Sequence, residues 1–424
     1  MSFQAIDDCP PISVEEAQTK VLAEVTPLGV ERVPLLEADG RVLREDLFAP
    51  ADMPPSDNSA MDGYAVRAAD IRTATEEAPV ELRVIGDVPA GRPADRTIEP
   101  GTAIRIMTGG WVPAGADTVV QVELTAASEK GVAIQQAVTA GTNIRRRGED
   151  VRSGELLVAS GTRISAAELA TLAACGRTEV PVSQRPVVAI MSTGDELVEP
   201  GEAAPPGAIV NSNAHLLAAL VRELGGIPRM LGIVPDSREA TIEAFEHAME
   251  SDFVLSSGGV SVGAYDYVKE ALQAVGAETR FWRVAMKPGK PFLLARRGTA
   301  LCFGLPGNPV SCFVTFHLFV GPALRKAFGE SGSLVPAPVR VRVDSQLRPA
   351  PGRRTYYRVR VFIRDGELVG EPLPSQSSGA LTSMLGANGL AIVDSDVRPA
   401  GDGKVPVILL GQPAQSIFFT SVSQ

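Results

Sequence analysis

The stretch DFVLSSGGVSVGAYD, residues 252–266, decides how the centre of the chain is read. Its first half is a short apolar run and its second half a glycine-rich turn. Within it, Gly259-Val260-Ser261-Val262-Gly263 matches G-x-S-x-G, the nucleophile elbow of serine hydrolases. The same residues also suit a turn whose backbone N–H groups hold a phosphate at the start of a helix. An elbow needs an acid and then a histidine further along the chain. Only His317 lies downstream of Ser261, inside the apolar run SCFVTFHLFV, and no HGGG-type oxyanion segment precedes the serine. Without its partners there is no triad, and the loop reads as a phosphate cradle.

Outward from this loop, RPVVAIMSTG (185–194), PRMLGIVP (228–235) and TALCFGLPG (299–307) are also short, nearly continuous apolar runs. Helical patterns alternate with them: NAHLLAALVRELG (213–225), SREATIEAFEHAME (237–250) and YDYVKEALQAVG (265–276). In the first, Leu216, Leu217, Leu220, Val221 and Leu224 recur at helical spacing and form one apolar stripe. Asn308 is placed to cap a last helix with Pro309 at its first position. Buried parallel strands lack polar alternation, so residues 184–330 are expected to form a doubly wound α/β domain. Ligands of such sheets bind beyond the carboxyl ends of the strands. The loops at those ends carry Thr193, Gly194, Asp195 and Glu196, then Asp236, then Ser257, Gly258, Gly259 and Gly263, with MKPGKPF (286–292) and GLPGNP (304–309) completing the rim. Backbone N–H groups of the glycines can approach an anion unobstructed, and Lys287 and Lys290 add positive charge. With Asp195, Glu196, Asp236 and Asp266 nearby, the set suits a phosphorylated ligand accompanied by Mg²⁺. Taken singly, each piece has a plainer explanation: a tight turn, solvated lysines, a helix cap. Their shared place at strand ends carries the functional reading. A P-loop is excluded, because Gly289-Lys290 is followed by Pro291.

Composition frames the rest. The chain has 424 residues, a 45% hydrophobic and 21% charged content, and a net charge of −10, so nucleic acid is not an expected partner. Four scattered cysteines without CxxC spacing and three histidines argue against a zinc site and for a reducing, cytoplasmic setting. The opening MSFQAIDDCPP lacks signal-peptide features, and no apolar run is long enough to span a membrane. SVEEAQTKVLAEV (13–25) reads as a helix with Ser13 and Glu16 as a capping box. From about residue 50 to 160 short β-branched runs dominate, and ISAAELATLAACG (164–176) returns to helix. The expected organisation is a discontinuous N-terminal domain (1–50 and 145–183), an inserted β-rich domain (51–144), the α/β domain (184–330) and a C-terminal β-barrel-like domain (331–424). Two polar segments in the first half stand out. MPPSDNSAMDGYAVR (53–67) carries Asp62, and NIRRRGED (143–150) sets three guanidinium groups in a row in an acidic chain. Consecutive side chains cannot all face one ligand, so one or two of those arginines would grip an anion and the others pair with neighbouring acids.

Together DNSAMDGYAVR, IRIMTGG, NIRRRGED, STGDEL, SSGGVSVGAYDY, AMKPGKPF and GLPGNPVS, in that order, resemble the MoeA family of molybdopterin molybdenumtransferases, which includes the E domain of gephyrin. The resemblance runs into the C-terminal SMLGANGLAIVD. It implies Mg²⁺-dependent insertion of molybdenum from molybdate into adenylylated molybdopterin, with release of AMP. It also implies a homodimer with shared sites. A separate molybdopterin adenylyltransferase would act upstream, and molybdoenzymes or their chaperones downstream. Carried over motif by motif, it casts Asp62, Thr108, Glu196, Asp236, Asp266, Lys287 and Lys290 as catalytic, with Glu196, Asp236 and Asp266 as candidates for holding Mg²⁺. Thr193, Gly194, Ser257, Gly258, Gly259, Ser261, Pro306, Asn308 and Pro309 would bind the pterin substrate, supported by Arg145 or Arg147. Asp62 and Thr108 would reach the site of the partner subunit. The alternative is a non-catalytic carrier or scaffold for the cofactor. The complete set of carboxylates and lysines favours the enzyme.

Overall fold

The computed structural model describes residues 10–129, 131–260, 267–343, 345–395, 403–410 and 414–415. The chain divides into two compact units, one of Met1–Glu45, Ser160–Ser165 and Glu179–Gln424, the other of Asp46–Ala159 and Ala166–Thr178.

A six-stranded sheet organises the first unit. Its strands are β1 (Val187–Thr193), β2 (Ile227–Val234), β3 (Phe253–Ser257), β4 (Glu278–Trp282), β5 (Leu293–Arg297) and β6 (Ala300–Leu305). Their spatial order is β2-β1-β3-β6-β5-β4. The first four in that order are mutually parallel, whereas β5 and β4 run antiparallel to their neighbours. Four helices accompany the sheet: α1 (Ser212–Glu223), α2 (Arg238–Ala248), α3 (Val268–Ala274) and α4 (Pro309–Thr315). Side chains alternate between two apolar layers. Val188, Ile190, Phe253, Leu255, Leu301 and Phe303 join the layer containing α1 and α4. Ala189, Met191, Val254, Leu293 and Cys302 join the layer containing α2 and α3. The sheet is therefore covered on both faces, which is why its strands read as unbroken apolar runs. Leu217, Leu220 and Val221 of α1 are buried, and Leu216 and Leu224 flank them half-buried against the same layer. Asn308 does cap α4 with Pro309 in its first turn, though its side chain donates elsewhere.

Neither β4 nor β5 is marked by a periodic pattern in the sequence. β5 turns into β6 through Gly298 and Thr299 alone, and Gly298 adopts φ +58°, so this is a two-residue hairpin with glycine at its first central position.

Helix Val14–Glu24 starts as its capping signature predicts, with Ser13 Oγ accepting from the Glu16 N–H at 3.1 Å. Strand Val30–Pro34 pairs antiparallel with Glu179–Ser183, which joins the chain on either side of the intervening segment. After residue 336, strand Arg354–Arg364 pairs with Glu367–Pro372, which pairs with Val339–Arg342, then Lys404–Leu409, then Gly389–Val393 and back to Arg354–Arg364. Five strands thus close a barrel around Val341, Val359, Val361, Ala391 and Val407, leaving no open edge between them.

The second unit is built on a six-stranded sheet in the order Thr118–Gln121, Gly63–Val66, Thr102–Ile106, Val80–Val88, Gly131–Ile134, Thr125–Ser128. Two small apolar clusters cover it, one around Val66, Leu82 and Val120 and the other around Val88, Ile104 and Val119.

Candidate functional site

From β1 the chain crosses through α1 to β2 on one side, then through α2 to β3 on the other. The loops after β1 and β3 therefore part from each other, and a crevice opens at this switch point. It holds a cleft of about 520 Å³. Thr193 ends β1 and Gly194 and Glu196 follow it; Asp236 follows β2; Ser257 ends β3 and Gly258 and Gly259 follow it; Pro306, Asn308 and Pro309 join β6 to α4. All ten line this one cleft. Ser261 and Asp266 lie outside the described residues.

Gly258 and Gly259 have φ of +95° and +65°, a backbone region that favours glycine. A β-carbon on Gly258 would stand 2.8 Å from the Thr193 carbonyl oxygen, and one on Gly259 would stand 2.6 Å from Val268. The loop after β3 is thus pressed against the end of β1 with bare backbone. Asn213, on the first turn of α1, donates to Ser257 Oγ at 2.8 Å and to the Gly307 carbonyl at 2.7 Å. Ser192 Oγ meets Asn211 Oδ1 at 2.8 Å, and Asn211 Nδ2 donates to Glu199 at 2.9 Å. Asn211 also caps α1. The buried atoms Thr193 Oγ1 and Asn213 Oδ1 have no protein partner. Both residues line the cleft, so a ligand has a hydroxyl and an amide oxygen to meet there. Asp195 and Asp236 are tied by reciprocal bonds, each carboxylate accepting from the other's N–H at 3.3 and 3.0 Å. Burial pushes the Cys312 thiol, bonded to Ser257, up to about 12, so it stays protonated.

Lys287 and Lys290 line a second cavity, of about 510 Å³, with Arg353, Thr355 and the loop Gln376-Ser377-Ser378. Pro291 and Asn308 line both cavities, so the two adjoin. Asn308 Nδ2 donates to Ser378 Oγ at 3.2 Å, linking the α/β rim to the barrel loop. Behind that loop lies Arg358, wholly buried. Its Nη2 donates to the carbonyls of Ser375 and Ser377 at 2.9 and 3.2 Å, while Nε and Nη1 have no partner. Burial lowers this guanidinium to about 10, still a cation at neutral pH. A buried cation with two nitrogens left unbonded is costly.

Asp62, Thr108, Arg145 and Arg147 belong to the second unit. Asp62 Oδ1 accepts from the Thr108 N–H at 2.7 Å and from its hydroxyl at 2.8 Å. These bonds hold the exposed Asp62 carboxyl below the usual aspartate range. The arginines divide as charge balance requires. Arg146 and Arg147 pair with Asp57 and Asp52, while Arg145 is exposed on a strand beside Asn58.

Asn211, Asn213 and Arg358 were not singled out in the sequence. The asparagines had a partial signal, since a polar pair opening an apolar helix is a cap pattern. Arg358 sits in the strand run TYYRVRVFI with nothing local to mark it.

Three family models match the chain: the MoeA N-terminal region (domains I and II) over residues 12–176, a probable molybdopterin binding domain over 189–326, and the MoeA C-terminal region (domain IV) over 340–410. The chain is 40% identical over 384 residues to the molybdopterin molybdenumtransferase of a Nostoc species, covering 89% of this chain and 88% of that one. Its likeness to the Bacillus subtilis molybdopterin molybdenumtransferase is 36% over 406 residues, 94% of each chain. A crystal structure of the molybdopterin biosynthesis moeA protein of Pyrococcus horikoshii matches with a TM-score of 0.81 at 33% identity, covering 94% of this chain and 100% of that one. The chain belongs to the MoeA family of molybdopterin molybdenumtransferases and is a transferase of molybdenum cofactor biosynthesis.

Proposed function

We propose that the cleft and its neighbouring cavity together bind adenylylated molybdopterin and molybdate, and that molybdenum enters the pterin dithiolene as the pyrophosphate linkage is cleaved and AMP leaves. One observation carries this reading: a bare-backbone glycine loop at the switch point adjoins a cavity lined by Lys287, Lys290 and Arg353 and backed by Arg358. The loop of Ser257, Gly258 and Gly259 offers donors to the linkage. The cations suit a dianion the size of molybdate.

Mg²⁺ fits this donor set. Among the described residues no three metal-ligating side chains converge, but Mg²⁺ commonly takes one or two carboxylates with substrate phosphates and water. Glu196 and Asp236 line the cleft and would hold it, with Asp266 as a third candidate. Bound there, Mg²⁺ would offset charge on the phosphates. Asp62 and Thr108, with Arg145 or Arg147, are proposed to serve the cleft of a partner subunit in a homodimer. The substrate would come from a separate adenylyltransferase, and the product would pass to molybdoenzymes or their chaperones in the cytoplasm. No described helix is long and apolar enough to cross a membrane.

Replacing Glu196 or Asp62 by Ala should abolish turnover while leaving folding intact; near-normal turnover removes that residue from the mechanism. Mixing Asp62→Ala subunits with Glu196→Ala subunits should restore one working site per mixed dimer. No recovery contradicts the shared site.

A further inference from the structure

We infer that Trp282 is a positioning residue for the phosphate cradle: its indole N–H fixes the backbone where the glycine loop leaves the cleft. Trp282 ends β4, far from the cradle in sequence, and is 3% exposed. Its Nε1 donates to the Val260 carbonyl at 3.0 Å. Val260 directly follows Gly258 and Gly259 and lines the same cleft. Its side chain is wedged so closely against β6 that a β-carbon on Gly304 would stand 2.5 Å from it. A glycine pair has little conformational preference of its own, so an anchored carbonyl beside it limits where the Gly258 and Gly259 N–H groups can point.

The indole is itself held. Lys269 Nζ stands 3.0 Å from the ring centroid and the Arg283 guanidinium carbon 3.6 Å. Two groups so near one centroid would overlap on a single face, so they flank the ring. Two cations over a π-system draw electron density from it, which makes the N–H a better donor. Arg283 also adopts φ +75°, a strained conformation for a non-glycine residue. Its N–H donates to the Phe292 carbonyl at 3.0 Å, and the next residue, Val284, donates to the Lys290 carbonyl at 2.9 Å. The backbone leaving Trp282 is thus bonded into the lysine loop. One indole connects the pterin-phosphate cleft to the lysine-lined cavity.

This inference rests on the cradle reading proposed above, and the test separates the two. Trp111 and Trp282 are the only tryptophans, so Trp111→Phe in the full chain leaves Trp282 as the sole indole emitter. Inorganic pyrophosphate is titrated into this protein, with calorimetry and Trp282 emission read together, and into Trp282→Phe by calorimetry. Binding should shift Trp282 emission. Trp282→Phe keeps an aromatic ring between the cations but loses the donor, and should bind pyrophosphate about three- to tenfold more weakly, the range of one lost hydrogen bond. In turnover, its KM for the adenylylated pterin should rise while that for molybdate stays near its original value. If Trp282→Phe does not fold, Lys269→Met replaces it. That variant keeps the donor but removes one flanking cation, and should shift Trp282 emission and weaken pyrophosphate binding about twofold or more. Pyrophosphate binding with unmoved emission and unchanged affinity in the variant overturns the role of Trp282 and leaves the cradle standing. No pyrophosphate binding to either protein overturns both.

Discussion

A methyl group added to Gly258 meets two obstacles, a φ of +95° and the Thr193 carbonyl 2.8 Å from where it would sit. Gly207 has nearly the same φ, +94°, but nothing within 4 Å of the added carbon. Gly258→Ala and Gly207→Ala therefore share backbone strain, about 1–3 kcal/mol by denaturant unfolding. Only Gly258→Ala should also lose pyrophosphate affinity, by tenfold or more; equal affinity in the two would contradict the cradle. His317 makes a second prediction. Its ring is partly exposed, yet Nε2 is screened without a partner, and burial lowers it from 6.5 to about 4. The unfolded chain takes up that proton near pH 6.5 and the fold resists it until about pH 4. Stability must therefore fall across this window as pH drops. His317→Gln should flatten that part of the pH dependence of the urea midpoint, and an unchanged slope would refute the assignment. Both residues were legible in part. The glycines announced a turn and His317 an apolar setting, because those signals are local. Arg358 was not, because its role arises from the Ser375 and Ser377 carbonyls of another loop, and Asn213 showed only as part of a cap pattern, its partners Ser257 and Gly307 lying far away in sequence.

At the scale of elements, strands β1 to β3 and helices α1 to α3 could be read because apolar runs, helical stripes and caps repeat with the period of the structure. Strands β4 and β5 could not. They are five residues each and carry Arg280, Arg296 and Arg297, and their pairing is with each other and β6 rather than through a helix. The C-terminal strands were visible as runs, but their closure into a ring depends on pairings no single run specifies. The polar segment of the second unit yields a prediction of its own. Asp52, Asp57 and Asp62 all lie below the usual aspartate value of 3.8, chiefly through backbone N–H donors from Ser153, Arg147 and Thr108 respectively. A carboxyl so lowered stabilises the fold above its unfolded value, and that contribution is lost as pH falls through the lowered one. Trp111, in the same unit, reports the change once Trp282 is replaced by Phe. Its unfolding midpoint should drop as pH falls below about 4, and Asp57→Asn should lessen the drop. An acid response identical in the variant would exclude Asp57 from it.

Over the whole molecule, a chain of net charge −10 is proposed to handle two anions, pyrophosphate-linked pterin and molybdate. It would do so through local cations: Lys287, Lys290 and Arg353 line one cavity, and the buried Arg358 bonds the carbonyl of Ser377 in its wall. Exposed lysines are screened by salt, whereas a buried guanidinium is screened far less. The KM for molybdate should rise with ionic strength in the parent protein. Arg358→Met should raise it severalfold at every salt concentration, and an unaltered KM would remove Arg358 from the anion site. The most direct test of the central claim is one incubation of the protein with adenylylated molybdopterin, Mg²⁺ and micromolar molybdate, following AMP release and pterin-bound molybdenum together. Molybdate-dependent AMP release matched by molybdenum incorporation is the predicted result. Binding of the pterin nucleotide with neither product formed would contradict it.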